Sequence, residues 1–186
     1  MGINMQMTCT TDHLILSILH PNDADKILSF YEKNKEYFEP WEPERDSKFY
    51  TISYQQLSLA VEYNLIMNNK ILRFWVFHRN DPQTVIGSVN FYNIIQGSYS
   101  TCQLGYKLDR NFIGNGFALE SVQAAMGILF EEYRLHRIEA NIMPTNLRSI
   151  RLIKKLGFSY EGLCRSSIRI NSKWEDHVRF ALICNS

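Results

Sequence analysis

L-G-Y-K-L-D-R-N-F-I-G-N-G-F-A-L-E, residues Leu104 to Glu120, decides how this chain is read. It begins with the alternation of a strand, turns at Gly114 and Gly116, and runs on into an amphipathic pattern. Leu119, Val122, Ala125, Met126, Leu129 and Tyr133 fall at i, i+3 and i+4 spacing, which predicts a helix starting at Gly116. Glycine lets a backbone turn sharply and approach a ligand closely. The first turn of a helix presents unpaired N–H groups and the positive end of its dipole. A strand, a glycine turn and a helix start in succession make a seat for an anion, phosphate above all.

Upstream, three β-rich runs precede the helix: Ile71 to His78, Val85 to Ile94 and Tyr99 to Leu108, the first two joined by an Asn-Asp-Pro turn. Their succession predicts an antiparallel meander. Before them come a strand at His13 to Leu19, a helix opened by Pro21 with Asp23 and Asp25 in its first turn, and a helix over about Ile52 to Met67. Between the helices, Pro40 and Pro43 in E-P-W-E-P impose a loop over Glu39 to Pro43. Downstream, His136 to Ile142 reads as a strand and Asn146 to Leu156 as a helix closed by Gly157. Phe158 to Leu163 and Trp174 to Ile183 read as a closing hairpin. The order β-α-α-β-β-β-α-β-α-β-β predicts an α/β fold of the α+β type. It should hold one mixed, mostly antiparallel sheet with helices on both faces. No repeat or low-complexity linker divides residues 1–186, so a single domain is expected. About residues 1–10 are expected to be a flexible or extended segment.

Composition narrows the function. Hydrophobic residues make up 45% and charged residues 21%, as in a globular protein with a sizeable core. A net charge of +1 gives no electrostatic case for nucleic acid or a membrane surface, so an anionic ligand must be met by a local site. Cys9, Cys102, Cys164 and Cys184 form no C-x-x-C, and the histidines form no H-E-x-x-H. Neither a disulfide framework nor a metal site is expected. The start M-G-I-N-M-Q lacks signal-peptide features, and Gln6 stands where a myristoylation signal wants Ser or Thr. No apolar run has transmembrane length. The expectation is a soluble cytoplasmic protein, monomer or homodimer.

Phosphate-binding devices differ in spacing. The P-loop string G-x-x-x-x-G-K-[ST] is absent. A Rossmann fingerprint, G-x-G-x-x-G, fails at Leu119 and in its place late in a meander, although Glu139 lies at a suitable distance for a ribose contact. A plain strand-to-helix turn also fits G-x-G alone.

The wider pattern separates these readings. N-F-I-G-N-G, Asn111 to Gly116, resembles the acyl-CoA pyrophosphate loop [QR]-x-x-G-x-[GA] of the GNAT acetyltransferase superfamily, with Asn111 in place of Gln or Arg. About 30 residues on, P-T-N-L-R-S-I-R-L-I-K-K-L-G-F, Pro144 to Phe158, resembles the family's N-x-x-[SA] helix ending in G-F. Y-E-G-L-C-R (Tyr160 to Arg165), N-S-K-W-E-D-H (Asn171 to His177) and Y-E-K-N-K-E-Y-F-E-P-W-E-P (Tyr31 to Pro43) resemble segments of the ribosomal-protein alanine N-acetyltransferase branch. The likeness spans nearly the whole chain, in order.

The resemblance implies transfer of acetyl from acetyl-CoA to a primary amine, without a metal. The acceptor is a protein N-terminus, with a small amine such as a polyamine, amino sugar or drug as the alternative. A CoA-binding regulatory module without catalysis is the reading from another class. By the same resemblance, Tyr106, Lys107 and Leu108 pair through their backbone with the pantetheine arm. Asn111, Ile113, Gly114, Asn115, Gly116 and Phe117 cradle the pyrophosphate. Asn146 meets the CoA arm, or caps its helix, a role asparagine fills well. Many members carry a tyrosine later in that helix to protonate the leaving thiolate; here Ile153 takes the place. Ser149, one turn after Asn146, is the substitute. Trp41 either lines the acceptor site or plugs the core. Glu42 is a candidate base or amine contact, or a solvated loop acid. Arg148, Arg151, Lys154 and Lys155 form a basic helix face that meets the ribose phosphate or only solvent.

Overall fold

The computed structural model describes residues 7–184. One sheet of eight strands runs in the order β1-β2-β3-β4-β5-β6-β8-β7. These are β1 (Thr8–Thr10), β2 (Leu14–Ser17), β3 (Leu72–His78), β4 (Asp81–Ile95), β5 (Thr101–Leu108), β6 (Arg137–Ile142), β7 (Ser159–Ile170) and β8 (Lys173–Ile183). All neighbours are antiparallel except β5 and β6. A parallel pair needs a crossover, supplied here by a helix.

The period of the strands divides the core in two. In β3, Phe74 and Val76 point into one apolar cluster, and Trp75 and Phe77 into the other. Both faces of this strand are covered, so its sequence is a continuous apolar run rather than an alternation. On the first face lie α4 (Phe117–Tyr133) and α5 (Leu147–Lys155), with Val122, Ala125 and Leu129 fully buried. Burying a leucine such as Leu129 contributes about 1.5–3 kcal/mol. On the second face lie α1 (Ala24–Lys33), the short α2 (Lys35–Phe38) and part of α3 (Ile52–Met67).

The helix ends follow local chemistry. Thr51 Oγ1 accepts from the Tyr54 N–H at the start of α3. α5 closes on Gly157 at φ +86°, with Phe158 N–H bonded to Ile153 C=O and Gly157 N–H to Lys154 C=O. That pair of bonds is the Schellman arrangement, which glycine adopts without a Cβ clash.

Several boundaries differ from the sequence expectation. The Asn-Asp-Pro turn shrinks to Arg79 and Asn80, because Asp81 already pairs with His78 across a bulge. The Glu39 to Pro43 loop holds one 3₁₀ turn, Glu39–Trp41, which Pro40 tolerates in its first positions. β7 runs on to Ile170, further than its apolar residues suggest, because β8 continues to pair with it. Of the expected N-terminal extension, residues 8–10 form the edge strand β1, and residues 1–6 lie outside the described residues.

Candidate active site

The site starts where two strands part. β5 and β6 pair only at Thr101–Arg137, Cys102–Ile138 and Gln103–Glu139. Beyond this, β5 continues to pair with β4 as far as Leu108, and β6 with β8 as far as Ile142. A wedge therefore opens between Leu104–Leu108 and Ala140–Ile142. Along it, backbone N–H and C=O groups that the sheet would otherwise pair face an open edge, which an amide-bearing chain satisfies.

The wedge ends at the glycine loop. Gly114 has φ +89° and Gly116 φ +81°, and a Cβ at either would meet nothing within 4 Å. Glycine is needed here for its left-handed conformation rather than for lack of room. Gly116 is the N-cap of α4, and no side chain caps that helix. Among the described residues, the N–H groups of Ile113, Gly114, Asn115 and Gly116 have no partner, so they and the first turn of α4 are free donors. Asn111 differs from the expectation. The Asn111 N–H is taken by Asp109 Oδ1 at 2.8 Å, and the Phe112 N–H by the Asp109 carbonyl at 2.9 Å. The cradle of donors thus begins at Ile113.

Buried side chains hold this loop. Asp109 pairs with Lys33 at 2.7 Å, and Asn34 Oδ1 accepts from the Arg110 N–H. Burial works to raise the Asp109 pKa; Lys33 and the Asn111 and Asn34 hydrogen bonds outweigh it and hold the carboxyl below its ordinary value. Glu120, in the first turn of α4, accepts from Thr11 Oγ1 at 2.6 Å and from the His13 N–H at 2.9 Å, tying the helix to the β1–β2 turn. Its carboxylate is engaged by protein.

Across the wedge stands the start of α5. Asn146 Oδ1 accepts from the Ser149 N–H at 3.2 Å, so Asn146 is the helix cap; its amide NH₂ has no partner among the described residues and remains a donor. The Ser149 hydroxyl lies 2.5 Å from the Tyr106 hydroxyl. Ile153 is fully buried in the core, where it presents only packing. Of the basic residues of α5, Arg148 donates to the Tyr37 hydroxyl of α2.

Neighbours on β5 serve opposite faces. Tyr106 points towards α5, whereas the Lys107 ammonium is bonded to Glu42 and stands 5.1 Å from the Tyr31 ring and 5.3 Å from the Phe38 ring. Beside it opens a cavity of about 470 Å³, lined by Tyr31, Phe38, Glu42, Arg45, Tyr50 and Asn171 among others. Glu42 is not a solvated loop acid: its side chain is 16% exposed and shared between Lys107 and Arg45. Burial pushes its pKa up, but Lys107 and Arg45 prevail and hold it below the ordinary value. Both oxygens are engaged, which leaves it poorly suited as a base. Trp41 is 38% exposed and belongs to neither apolar cluster.

The sequence reading missed the other cavity residues. Asn171 and Ser172 turn the β7–β8 hairpin at φ +44° and +66°, and Asn171 Nδ2 donates to the Glu39 carbonyl at 2.7 Å. Asn followed by Ser between two strands is a turn signal, and it locates the tip that closes this cavity. Among the described residues no group of His, Cys, Asp or Glu is arranged to hold a metal ion. Nor is any helix long and apolar enough to cross a membrane.

A parted parallel pair, an uncapped glycine-turned helix start and an asparagine-capped helix opposite meet at one wedge. Residues 13–159 match the acetyltransferase (GNAT) domain family, and the chain belongs to that family as an N-acetyltransferase. It is 35% identical over 173 residues to the ribosomal protein uS5-alanine N-acetyltransferase of Escherichia coli, covering 93% of this chain and 89% of that protein. The crystal structure of a ribosomal-protein-S5-alanine acetyltransferase from Vibrio fischeri superposes with a TM-score of 0.92 at 28% identity, covering 97% of this chain and 98% of that one. Mycobacterium smegmatis RimJ in complex with CoA-disulfide shares the fold, with a TM-score of 0.86 at 22% identity over 92% of this chain and 82% of that one.

Proposed function

We propose that this chain moves the acetyl group of acetyl-CoA to the N-terminal amine of a protein, a ribosomal protein beginning with alanine being the favoured acceptor. The parting of β5 and β6 after Gln103 and Glu139 carries this reading. It leaves backbone groups of Tyr106 and Leu108 for the peptide-like pantetheine arm, the Lys107 carbonyl being turned to Gly87 on β4. The N–H groups of Ile113 to Phe117 receive the pyrophosphate, with Asn111 shaping the turn that presents them. The free amide NH₂ of Asn146 donates to the arm. The likeness to the E. coli uS5-alanine enzyme over most of the chain supports the acceptor class. With such an acceptor, the work is done in the cytoplasm.

The acceptor enters from the cavity side, past Trp41 and the segment held by Glu42. An N-terminal amine has a pKa of roughly 8, so a useful fraction is neutral near pH 7 without a strong base. Its nitrogen attacks the thioester carbonyl, the C–N bond forms, and the C–S bond breaks with its electron pair on sulfur. The ammonium proton is lost to water. Ser149 donates a hydrogen bond to the departing thiolate, stabilising charge where it develops.

Turnover of acetyl-CoA tests this. An alanine-initiated peptide should be acetylated, and the same peptide with a blocked N-terminus should not, even where it contains lysine. Acetylation of free polyamines or amino sugars with no peptide turnover would replace the acceptor by a small amine.

A further inference from the structure

Tyr106 entered the site only through its backbone, yet its side chain makes the closest polar contact in the wedge. Its hydroxyl stands 2.5 Å from Ser149 Oγ and 3.3 Å from the Ser149 carbonyl. The two residues lie 43 positions apart, on β5 and α5, so the contact spans the wedge. Burial pushes the Tyr106 phenol up to about 12, against the pull of the Ser149 hydrogen bond. It is thus a neutral O–H throughout the neutral range.

Hydrogen-bond arithmetic then constrains Ser149. A hydroxyl has one hydrogen and two lone pairs. Either hydroxyl can donate in this contact, and the Tyr106 hydrogen has the Ser149 carbonyl at 3.3 Å as its other acceptor; when it goes to Ser149 Oγ it occupies one of those lone pairs, and the serine hydrogen points elsewhere. The Ser149 N–H is already committed to Asn146. We infer that Tyr106 is a positioning residue for the leaving group: it donates to Ser149 and so fixes the serine hydrogen towards the thiolate. This rests on the role given to Ser149 above. No proton leaves either hydroxyl. The chain Tyr106 O–H to Ser149 O–H to sulfur stabilises the thiolate, each bond polarising the next. The thiolate later takes its proton from water, balancing the proton that the ammonium lost.

The test is a cycle of Tyr106→Phe, Ser149→Ala and the double variant, measured with chemistry rate-limiting. Phenylalanine keeps the ring packing, and an unchanged melting temperature checks the fold. Ser149→Ala is expected to lower kcat about 10²-fold. Tyr106→Phe should lower it about five- to tenfold, the worth of one hydrogen bond, with KM for acetyl-CoA unchanged. The double variant should be no slower than Ser149→Ala, because Tyr106 acts only through the serine. Losses that multiply, a Tyr106→Phe enzyme with full kcat, or a loss confined to KM would each overturn the inference while leaving Ser149 in place. Full kcat in Ser149→Ala would instead remove the role of Ser149, and the inference with it.

Discussion

Gly87 on β4 lies against the carbonyl of Lys107 on β5: a Cβ at Gly87 would stand 2.6 Å from that oxygen. No real contact of that kind is so short, and the obstacle is backbone, which cannot swing aside. The glycine therefore sets how closely β4 carries the strand that borders the wedge. Gly87→Ala should displace Lys107 and Leu108, lowering stability by about 1–3 kcal/mol. Because those residues line the wedge, acetyl-CoA should also bind more weakly. Thermal unfolding and calorimetric titration measure the two effects; an alanine variant with wild-type stability would show that the strands separate at no cost.

Gly116 presents the opposite case. A Cβ there has open space, but φ +81° disfavours any other L-residue. Gly116→Ala should cost about 1–2 kcal/mol through backbone strain alone. Relief by rotation away from positive φ would spoil the aim of the loop N–H groups. Acetyl-CoA affinity is thus expected to fall roughly tenfold, with a small loss of melting temperature. Calorimetry on the folded variant checks this, and unchanged affinity would mean that the loop N–H groups do not hold the phosphates.

Glu42 links stability to pH. Its folded pKa lies below the ordinary carboxylate value because Lys107 and Arg45 overcome the cost of burial. A depressed carboxyl contributes stability that is complete above its unfolded pKa, roughly 4, and is lost as pH falls through the folded value. Melting temperatures from pH 7 to 3 should therefore fall less steeply in Glu42→Gln than in the wild type, although the variant starts about 1–3 kcal/mol less stable from losing a partly buried pair. Parallel curves would show that the pair carries no linkage.

Features set by local backbone constraints were legible in the sequence. Gly114 and Gly116 announce a turn by their own conformational needs, Asn146 a helix start, and the 3.6-residue period of Leu119 to Tyr133 a buried helix. Contacts between distant segments were not. Glu42 looks like a loop acid until folding brings Lys107, 65 positions away, against it. Ser149 looks like a helix residue until Tyr106 crosses the wedge to it. The wedge itself has no sequence signal, because it consists of pairs that do not form: β5 carries a full strand pattern to Leu108 and pairs with β6 only to Gln103. The Asn111 N–H was assigned to the ligand because a glycine motif counts positions and overlooks a capping Asp109.

Trp41 offers a direct test of the acceptor side. An indole that closed a core would be buried, and its removal would cost about 3–5 kcal/mol. Trp41 instead is 38% exposed, in a 3₁₀ turn between Phe38, which is buried, and Glu42, which is pinned to Lys107. The turn is held at both ends, so the indole is presented at a fixed place with little conformational entropy left to lose on binding. Such a ring offers an apolar face to the first residues of a peptide. Trp41→Ala should raise KM for an alanine-initiated peptide about three- to tenfold. Acetyl-CoA affinity should be unchanged, because the wedge is bordered by β5, β6 and α5, and the melting temperature should move by no more than a degree or two. Steady-state kinetics with peptide varied at saturating acetyl-CoA, alongside thermal unfolding, separates the outcomes. A large fall in melting temperature with unchanged KM would return Trp41 to a packing role and move the peptide entrance away from the Glu39–Trp41 turn.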